Sequence, residues 1–596
     1  MGMLAGWISM NQRNGCMDVL DKMCSVLHHQ SAIRKIEMNH AFLASEQMES
    51  IEIEGKKITI VLDGEVQNRS ELMHCCRTKG IEVESNRTTE LLLKLYLSCC
   101  DECVSKIKGV FAFVIVDERK NSFLLARDPM GIKPLFISVK RDQLVFASEI
   151  KGLLKHPEIK AQAGSEELME LICFGPARPP GKTYFKDIEE VKPGCLISGT
   201  CSGLTMMRYY ILKDDPWTLD ETKTKEVVHD LVTDAILKQC DTDSKICAML
   251  SGGLDSSIVV QAASSQIESM DVYSVDYQGQ KEHFQPTFYQ PNRDQDYIDL
   301  MIRQCDLNAH EIVLNSKELK DSLVDAMIAR DMPGMADVDS SLLCFLKKMK
   351  EQNECVVLSG ECSDEIFGGY PWYTQDHLRS IDEFPWASNV QYRASFLKKE
   401  FLICDPEQLM KRHIHDSLSP LNFHPDTTEK ERQIKSLMKL NLDWFMQTLT
   451  DRADRMARSV GMSIRVPFCD LRIVEALYRI PWSMKYQKKT EKYLLRKAFE
   501  KELPEEICTR KKSPYPKTHH PEYAMMIKEE LMKILEDDES PILEIIEKQK
   551  LMDLMETDFT KPWYGQLMTG PQTMAYFIQI NEWLKIYDIE IIHPKG

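Results

Sequence analysis

Apolar and polar positions alternate over short runs in the first third of the chain. "KKITIVLDGEV" and "GVFAFVIVDERKNSFLLARD" read as strands joined by polar turns, and "RDQLVFASEI" reads as another. Between them, "TTELLLKLYLSCC" carries helical spacing. Strands with occasional helices predict an α+β layered domain with antiparallel sheets. The stretch "FGPARPPGKTYF" is rich in Pro and Gly, and "KDDPWTLDETKTKEVV" starts a new helix. The boundary is therefore placed near Ile211 to Trp217, with a first domain over 1–210 and a second over 218–596.

The second half changes pattern. "SKICAML" is a short buried strand, "SGG" turns, "LDSSIVVQAASSQI" is helical and "MDVYSVDY" is the next strand. "NAHEIVL" and "ECVVLSG" add strands with helical segments between them. This order predicts an α/β doubly wound parallel sheet. Beyond about Tyr370 the pattern reads as mostly helical to the end.

Composition narrows the class. The 596 residues are too many for one core, and the formal net charge of -17 argues against nucleic acid or an anionic membrane as partner. No run of roughly 18 or more apolar residues occurs, so no membrane span is expected. "MGMLAGWISMNQRNG" lacks a basic region before an apolar core, and Gly6 stands where myristoylation wants Ser or Thr, so the expected location is the cytoplasm. A reducing compartment would keep the 19 cysteines as free thiols. "CCDEC" at Cys99 to Cys103 has no second pair at zinc-finger spacing, so scattered core thiols are expected rather than metal.

The chemistry concentrates in three places. "MLSGGLDSS" puts a glycine pair between a strand and a helix, where backbone N–H groups and the helix N-terminus meet an anion. It has neither the length nor the lysine of a Walker loop, which suits pyrophosphate as a leaving group and attack at the α-phosphorus. Asp255 would carry a magnesium ion bridging the phosphates. A lone Ser-Gly-Gly would serve equally as a packing turn; the order Ser-Gly-Gly-x-Asp-Ser after an apolar strand is far more specific. "LSGECSDEIFGGY" also follows an apolar strand and holds Glu361, Asp364 and Glu365. Asp364 is the second magnesium candidate, and Glu361 could take a proton from an attacking amine. An acidic helix N-terminus satisfying the macrodipole is the plainer alternative. Finally, Lys492, Arg496, Arg510, Lys511 and Lys512 supply cations, of which one or two are expected to act on the leaving group or the transition state.

These segments, with "ARDMPGMADVDSSL", "RADRMARSVGMSIRVPFCDLRIVEAL", "EKYLLRKAF", "RKKSPYPKT", "DGEV", "RDPMGIKPLF" and "FASEIKGLL", resemble class B, glutamine-dependent asparagine synthetases over nearly the whole chain. The resemblance implies an N-terminal-nucleophile glutaminase domain followed by an ATP pyrophosphatase domain. It implies aspartate, ATP and ammonia as substrates, with β-aspartyl-AMP as intermediate, and admits a homodimer. It places the nucleotide loop at Leu250, Ser251, Gly252, Gly253, Asp255 and Ser256. The adenine-side strand end falls at Ser274 and Val275, and the second turn at Ser359 and Gly360. It gives Glu361 a role in forming the intermediate, Asp364 a role in holding magnesium pyrophosphate, and matches the catalytic lysine best to Lys512. The aspartate pocket resembles "GMADVDSS", Gly334 to Ser341.

The glutaminase half departs from that pattern. The family begins Met-Cys-Gly-Ile-Ala-Gly and exposes the cysteine as nucleophile; here Gly2 holds that place. The His-Arg-Gly-Pro-Asp motif reads "HQSAI", which puts Gln30 at the clamp arginine; Asp63 replaces an asparagine and Thr88 an aspartate. The expectation is an ammonia-using asparagine synthetase with a degenerate glutaminase domain. The alternatives are an amide- or lactam-forming synthetase acting on another acid or amine, and a non-catalytic regulatory relative. The intact ATP loop speaks against the last.

Overall fold

Strand Gly109–Asp117 shows how the first part of the chain is layered. Ala112, Val114 and Val116 enter one apolar core, while Phe111, Phe113 and Ile115 enter another. Side chains alternate across a strand, so a run that is apolar at every position has both faces covered. The structure is a computed structural model and describes residues 2–10, 16–200, 202–279, 294–513, 515–518, 520–556, 562–565 and 568–594.

The chain divides into two compact units, Met1–Ala163 with Pro179–Ile211, and Gly164–Arg178 with Leu212–Gly596. Helix Ser165–Phe174 therefore groups with the second unit, although it precedes the Pro/Gly-rich stretch.

In the first unit two six-stranded antiparallel sheets face each other across the core containing Leu43, Val61, Val114, Leu125 and Phe146. One sheet runs in the order Glu189–Glu190, Phe136–Lys140, Gln143–Ala147, Leu4–Ser9, Ala41–Ser45, Arg34–Glu37. The other runs Gly203–Arg208, Cys195–Thr200, Ser122–Arg127, Gly109–Asp117, Lys56–Val66, Gln47–Ile53. Leu72 and Cys76 of helix Arg69–Thr78, with Leu91, Leu92 and Leu95 of helix Thr88–Cys99, cover the outer face of the second sheet. The layered antiparallel architecture expected from the sequence is present.

The second unit is built on a five-stranded parallel sheet ordered Asn308–Leu314, Asp271–Tyr277, Ile246–Met249, Val356–Leu358, Ser463–Arg465. Every neighbouring pair is parallel. The first strand in sequence, Ile246–Met249, has the second on one side and Val356–Leu358 on the other, so the winding reverses between them. Ligands of such sheets sit at the carboxyl ends of the strands at that reversal. The fifth strand, Ser463–Arg465, lies within the mostly helical region expected after Tyr370. It has only three residues, too few to show a period, and it is defined by pairing with Val356–Leu358.

Candidate active site

Two turns leave the sheet side by side at the reversal. After Ile246–Met249 the chain reaches Gly252 at φ +66°, a conformation that glycine adopts without strain. A Cβ there would come within 2.6 Å of the Tyr297 Cβ. After Val356–Leu358 the chain reaches Gly360, where a Cβ would lie 2.9 Å from the Ser256 amide nitrogen. The glycines thus let the second turn press against the first turn of helix Leu254–Ser264. Ser256 Oγ ties the first turn together, accepting from the Ser251 amide at 3.2 Å and donating to the Gly253 carbonyl at 3.2 Å.

One cavity is lined by Leu250, Ser251, Gly253, Asp255, Ser256, Ser274, Val275, Ser359, Gly360, Glu361, Asp364 and Lys512. The sequence-selected residues of the two turns therefore meet on one wall; Gly252 packs on Tyr297 instead of facing the space.

Alternating charges cross the floor of this cavity. Lys492 Nζ lies 2.6 Å from Asp255 Oδ2 and 2.5 Å from Asp364 Oδ1, and Lys512 Nζ lies 2.7 Å from Asp364 Oδ2. Ser363 Oγ donates to Asp255 Oδ1 at 2.7 Å. Burial pushes the Asp364 carboxyl up, but the two lysines outweigh it and hold it at about 2. Burial pulls Lys492 down, and Asp255 and Asp364 more than restore its charge. The resemblance matches the catalytic lysine to Lys512; the structure adds Lys492, which touches both acidic groups and is almost fully buried. Asp255 and Asp364 also suit a magnesium ion, which takes one or two carboxylates and completes its shell with phosphate oxygens. Among the described residues no group of three or more His, Cys, Asp or Glu could hold a metal unaided.

Glu361 belongs to a second chain of charges. Its Oε1 accepts from Arg452 at 3.1 Å, Arg452 Nε lies 3.5 Å from Asp339, and Asp339 accepts from Arg330 at 2.9 Å. Arg330 also reaches Asp451 at 3.0 Å. Burial pushes the Glu361 carboxyl above its usual value, with Arg452 opposing. Its buried Oε2 has no hydrogen-bond partner among the described residues.

The "GMADVDSS" segment borders the cavity at Met335, and none of its other seven residues lines it. Asp339 accepts from Arg330 and the Met335 amide, Asp337 accepts from Gln572 at 3.1 Å, and Ser341 donates to the Val338 carbonyl. Asp339 thereby stands beside the Arg452 that pairs with Glu361. Arg452 escapes sequence reasoning because its acidic partners lie 91 and more positions away. The "RADRMAR" run offers the one local signal, since Arg452, Arg455 and Arg458 are buried on helix Met446–Ser459.

One expectation about cysteines is corrected. Cys362, in the second turn, is disulfide-bonded to Cys469, while sixteen other described cysteines are free thiols. The two lie 107 positions apart, and nothing in the sequence marks them as a pair.

In the first unit, the Gly2 amide donates to Asp63 Oδ1 at 3.2 Å, and Lys133 Nζ lies 3.9 Å from the same oxygen. A Cβ on Gly2 would stand 2.7 Å from the Leu62 carbonyl oxygen and 3.4 Å from Gln47 Nε2. Gln47 and Asp63 thus both bring side chains to position 2. Gln30, expected as the clamp position, is exposed, and its amide donates to Glu46 at 2.8 Å. Thr88 opens helix Thr88–Cys99.

Comparison with known proteins matches residues 227–585 to the family described as asparagine synthase, and residues 5–210 to the glutamine amidotransferase domain. The chain is 37% identical over 574 residues to asparagine synthetase (glutamine-hydrolyzing) 3 of Bacillus subtilis (strain 168), covering 93% of each. It is 27% identical to asparagine synthetase (glutamine-hydrolyzing) 1 of the same organism, over 77% of this chain and 75% of that one. It is also 27% identical to the asparagine synthetase (glutamine-hydrolyzing) of Zea mays, over 78% and 66%. No described helix is long and apolar enough to cross a membrane. With two Ser-Gly turns meeting at the reversal of a parallel sheet, and these matches over most of its length, the chain belongs to the asparagine synthase family of ATP-dependent carbon–nitrogen ligases, which form AMP and pyrophosphate.

Proposed function

We propose that this chain adenylates the side-chain carboxylate of aspartate, releases pyrophosphate, and lets ammonia displace AMP to give asparagine, without hydrolysing glutamine itself. The observation that carries the synthetase half is the chain Asp255–Lys492–Asp364–Lys512 beside the two glycine turns. In this reading Lys492 and Lys512 neutralise charge that builds on the leaving pyrophosphate. Asp255 and Asp364 would hold a magnesium ion, which supplies further charge neutralisation on the phosphates. Glu361, oriented by Arg452, has one oxygen left over to take a proton from the attacking amine.

The loss of glutamine use rests on Gly2, which offers no thiol to attack an amide carbonyl. The exposed Gln30 and the Gln47 side chain beside Gly2 provide no cation for the substrate carboxylate. The test is to supply the purified chain with ATP, magnesium, aspartate and either glutamine or ammonium, and to measure pyrophosphate, glutamate and asparagine. Asparagine from ammonium alone is expected; stoichiometric glutamate from glutamine overturns the reading.

A second reading, another acid or amine on the same chemistry, draws support from the "GMADVDSS" segment. Its acidic and hydroxyl side chains are buried and bonded internally, while Met335, Leu342, Phe345, Phe445 and Leu449 supply apolar wall. Pyrophosphate release across a panel of acids, with ammonium as acceptor, separates the two readings.

A further inference from the structure

We propose that Cys362–Cys469 is a redox-modification site that sets the competence of the adenylation loop, with a dithiol as reductant and a small-molecule disulfide as oxidant. The effect on rate rests on the adenylation reading above; the chemistry of the crosslink does not.

The crosslink is placed where it controls the site. Cys362 follows Glu361 and precedes Ser363 and Asp364, the residues that hold Asp255, Lys492 and Lys512. Its φ is +77°, in the left-handed region that favours glycine. A residue with a Cβ stays there only when its surroundings over-determine it. Cys469 is the anchor. It ends the turn Pro467–Cys469, and its amide donates to the Val466 carbonyl at 2.9 Å. The next residue, Asp470, caps helix Leu471–Arg479 and is paired to Arg472 at 2.7 Å. The two Cα atoms are 5.8 Å apart, within the ordinary span for a disulfide. The bond therefore ties a loop in a disfavoured backbone conformation to a rigid neighbour.

Access has a direction. Cys362 lines the cavity and Cys469 does not. Both are almost fully buried, at 2% and 4% exposure, so the route to sulfur is through the nucleotide cavity. A thiolate of the dithiol attacks the Cys362 sulfur and displaces Cys469 as thiolate, which takes up a proton. The second thiol of the reductant then resolves the mixed disulfide and frees Cys362. Two electrons pass from the dithiol to the protein disulfide, and a small-molecule disulfide accepts them in the reverse direction. Nucleotide in the cavity blocks the first attack and so slows reduction of the crosslink.

The experiment uses the full chain. It is equilibrated with oxidised glutathione or with dithiothreitol, alkylated, digested and mapped by mass spectrometry, with and without α,β-methylene-ATP. ATP–pyrophosphate exchange is measured in parallel. A crosslinked 362–469 peptide is expected after oxidation, and its reduction should slow severalfold when the ATP analogue is bound. Exchange should fall roughly 10-fold on reduction, as a displaced loop misaligns the reacting groups, and should recover on reoxidation. Cys469→Ser should stay at the reduced-state rate whatever thiol is present. Absence of the crosslinked peptide, equal exchange in both states, or a redox response surviving in Cys469→Ser overturns the proposal. If no acid supports exchange in either state, the adenylation reading fails, while nucleotide protection of the crosslink still supports this site.

Discussion

Carboxylates serve different ends in the two units. In the first unit Glu46, Glu90 and Asp128 hold backbone, beside structural ion pairs such as Arg127–Glu190. Glu46 accepts from the Gln30 and Ser31 amides, and Glu90 accepts from the Glu84 and Ser85 amides. Asp128 accepts from the amides of Met130, Ile132 and Lys133. In the second unit Asp255, Asp364 and Glu361 face a cavity and pair with lysine and arginine side chains brought from distant segments. A carboxylate bonded to amides stabilises a loop. Carboxylates and cations gathered around an open space, out of full solvent, keep charge poised for a ligand that brings charge of its own. The same family membership therefore carries different weight in the two units.

The comparison breaks most directly at Lys492. Lys492→Met leaves Asp255 and Asp364 without their shared cation, and ATP–pyrophosphate exchange should fall about 10²- to 10³-fold. Stability should fall by about 3 kcal/mol in urea unfolding, the usual cost of removing one partner of a buried pair. Exchange near the wild-type rate would remove the charge chain from the mechanism.

Asp255→Ala tests the same floor from the acidic side. Pyrophosphate release should drop about 10²-fold while the circular dichroism spectrum is kept. Glu361→Gln follows. It preserves the shape beside Arg452 and loses the charge, so ATP should still bind while amide formation falls roughly 10²-fold. Unchanged amide yield in a quenched-flow assay would show that Arg452 holds Glu361 for another purpose.

A smaller effect concerns pH. Burial first, then the Asp364 charge, push Glu365 from 4.5 up to about 7, and its Oε1 accepts from the Tyr370 hydroxyl at 2.6 Å. Below about 4.5 both folded and unfolded states are protonated, and the group makes no difference. Between about 4.5 and 7 the folded state keeps a proton that the unfolded state has released, so stability falls as pH rises; above about 7 the loss is complete. The total is on the order of 3 kcal/mol. Glu365→Gln keeps an acceptor for Tyr370 and removes the titration. Its melting temperature should therefore gain on the wild type between pH 5 and pH 8, and a constant gap would contradict the raised value.

The smallest expected effect is in the first unit. Gly2→Cys should release no glutamate from glutamine, because a new Cβ stands 2.7 Å from the Leu62 carbonyl oxygen and Gln30 stands at the clamp position. Glutamate release in a coupled dehydrogenase assay would show that the first unit is one substitution from activity.

Local order determined much of this protein. The continuous apolar runs in "GVFAFVIVD" and "KKITIVLDGEV" set strands covered on both faces, because side chains change face at every residue. Apolar strands ended by Ser-Gly, and followed by helices, set the parallel sheet and the two turns at its reversal. Gly252 is readable because its role is backbone geometry, which belongs to the residue itself. What only the tertiary structure decided are partnerships across long stretches of chain. Lys492 meets Asp255 across 237 positions, Arg452 meets Glu361 across 91, and Cys362 meets Cys469 across 107. Strand Ser463–Arg465 exists because Val356–Leu358 offers it an edge. Such contacts leave no period and no local propensity, since each depends on where the packing of intervening helices delivers a side chain. The chemistry of the loops was legible in the order of their residues; the identity of the groups that hold those loops in place was settled by folding.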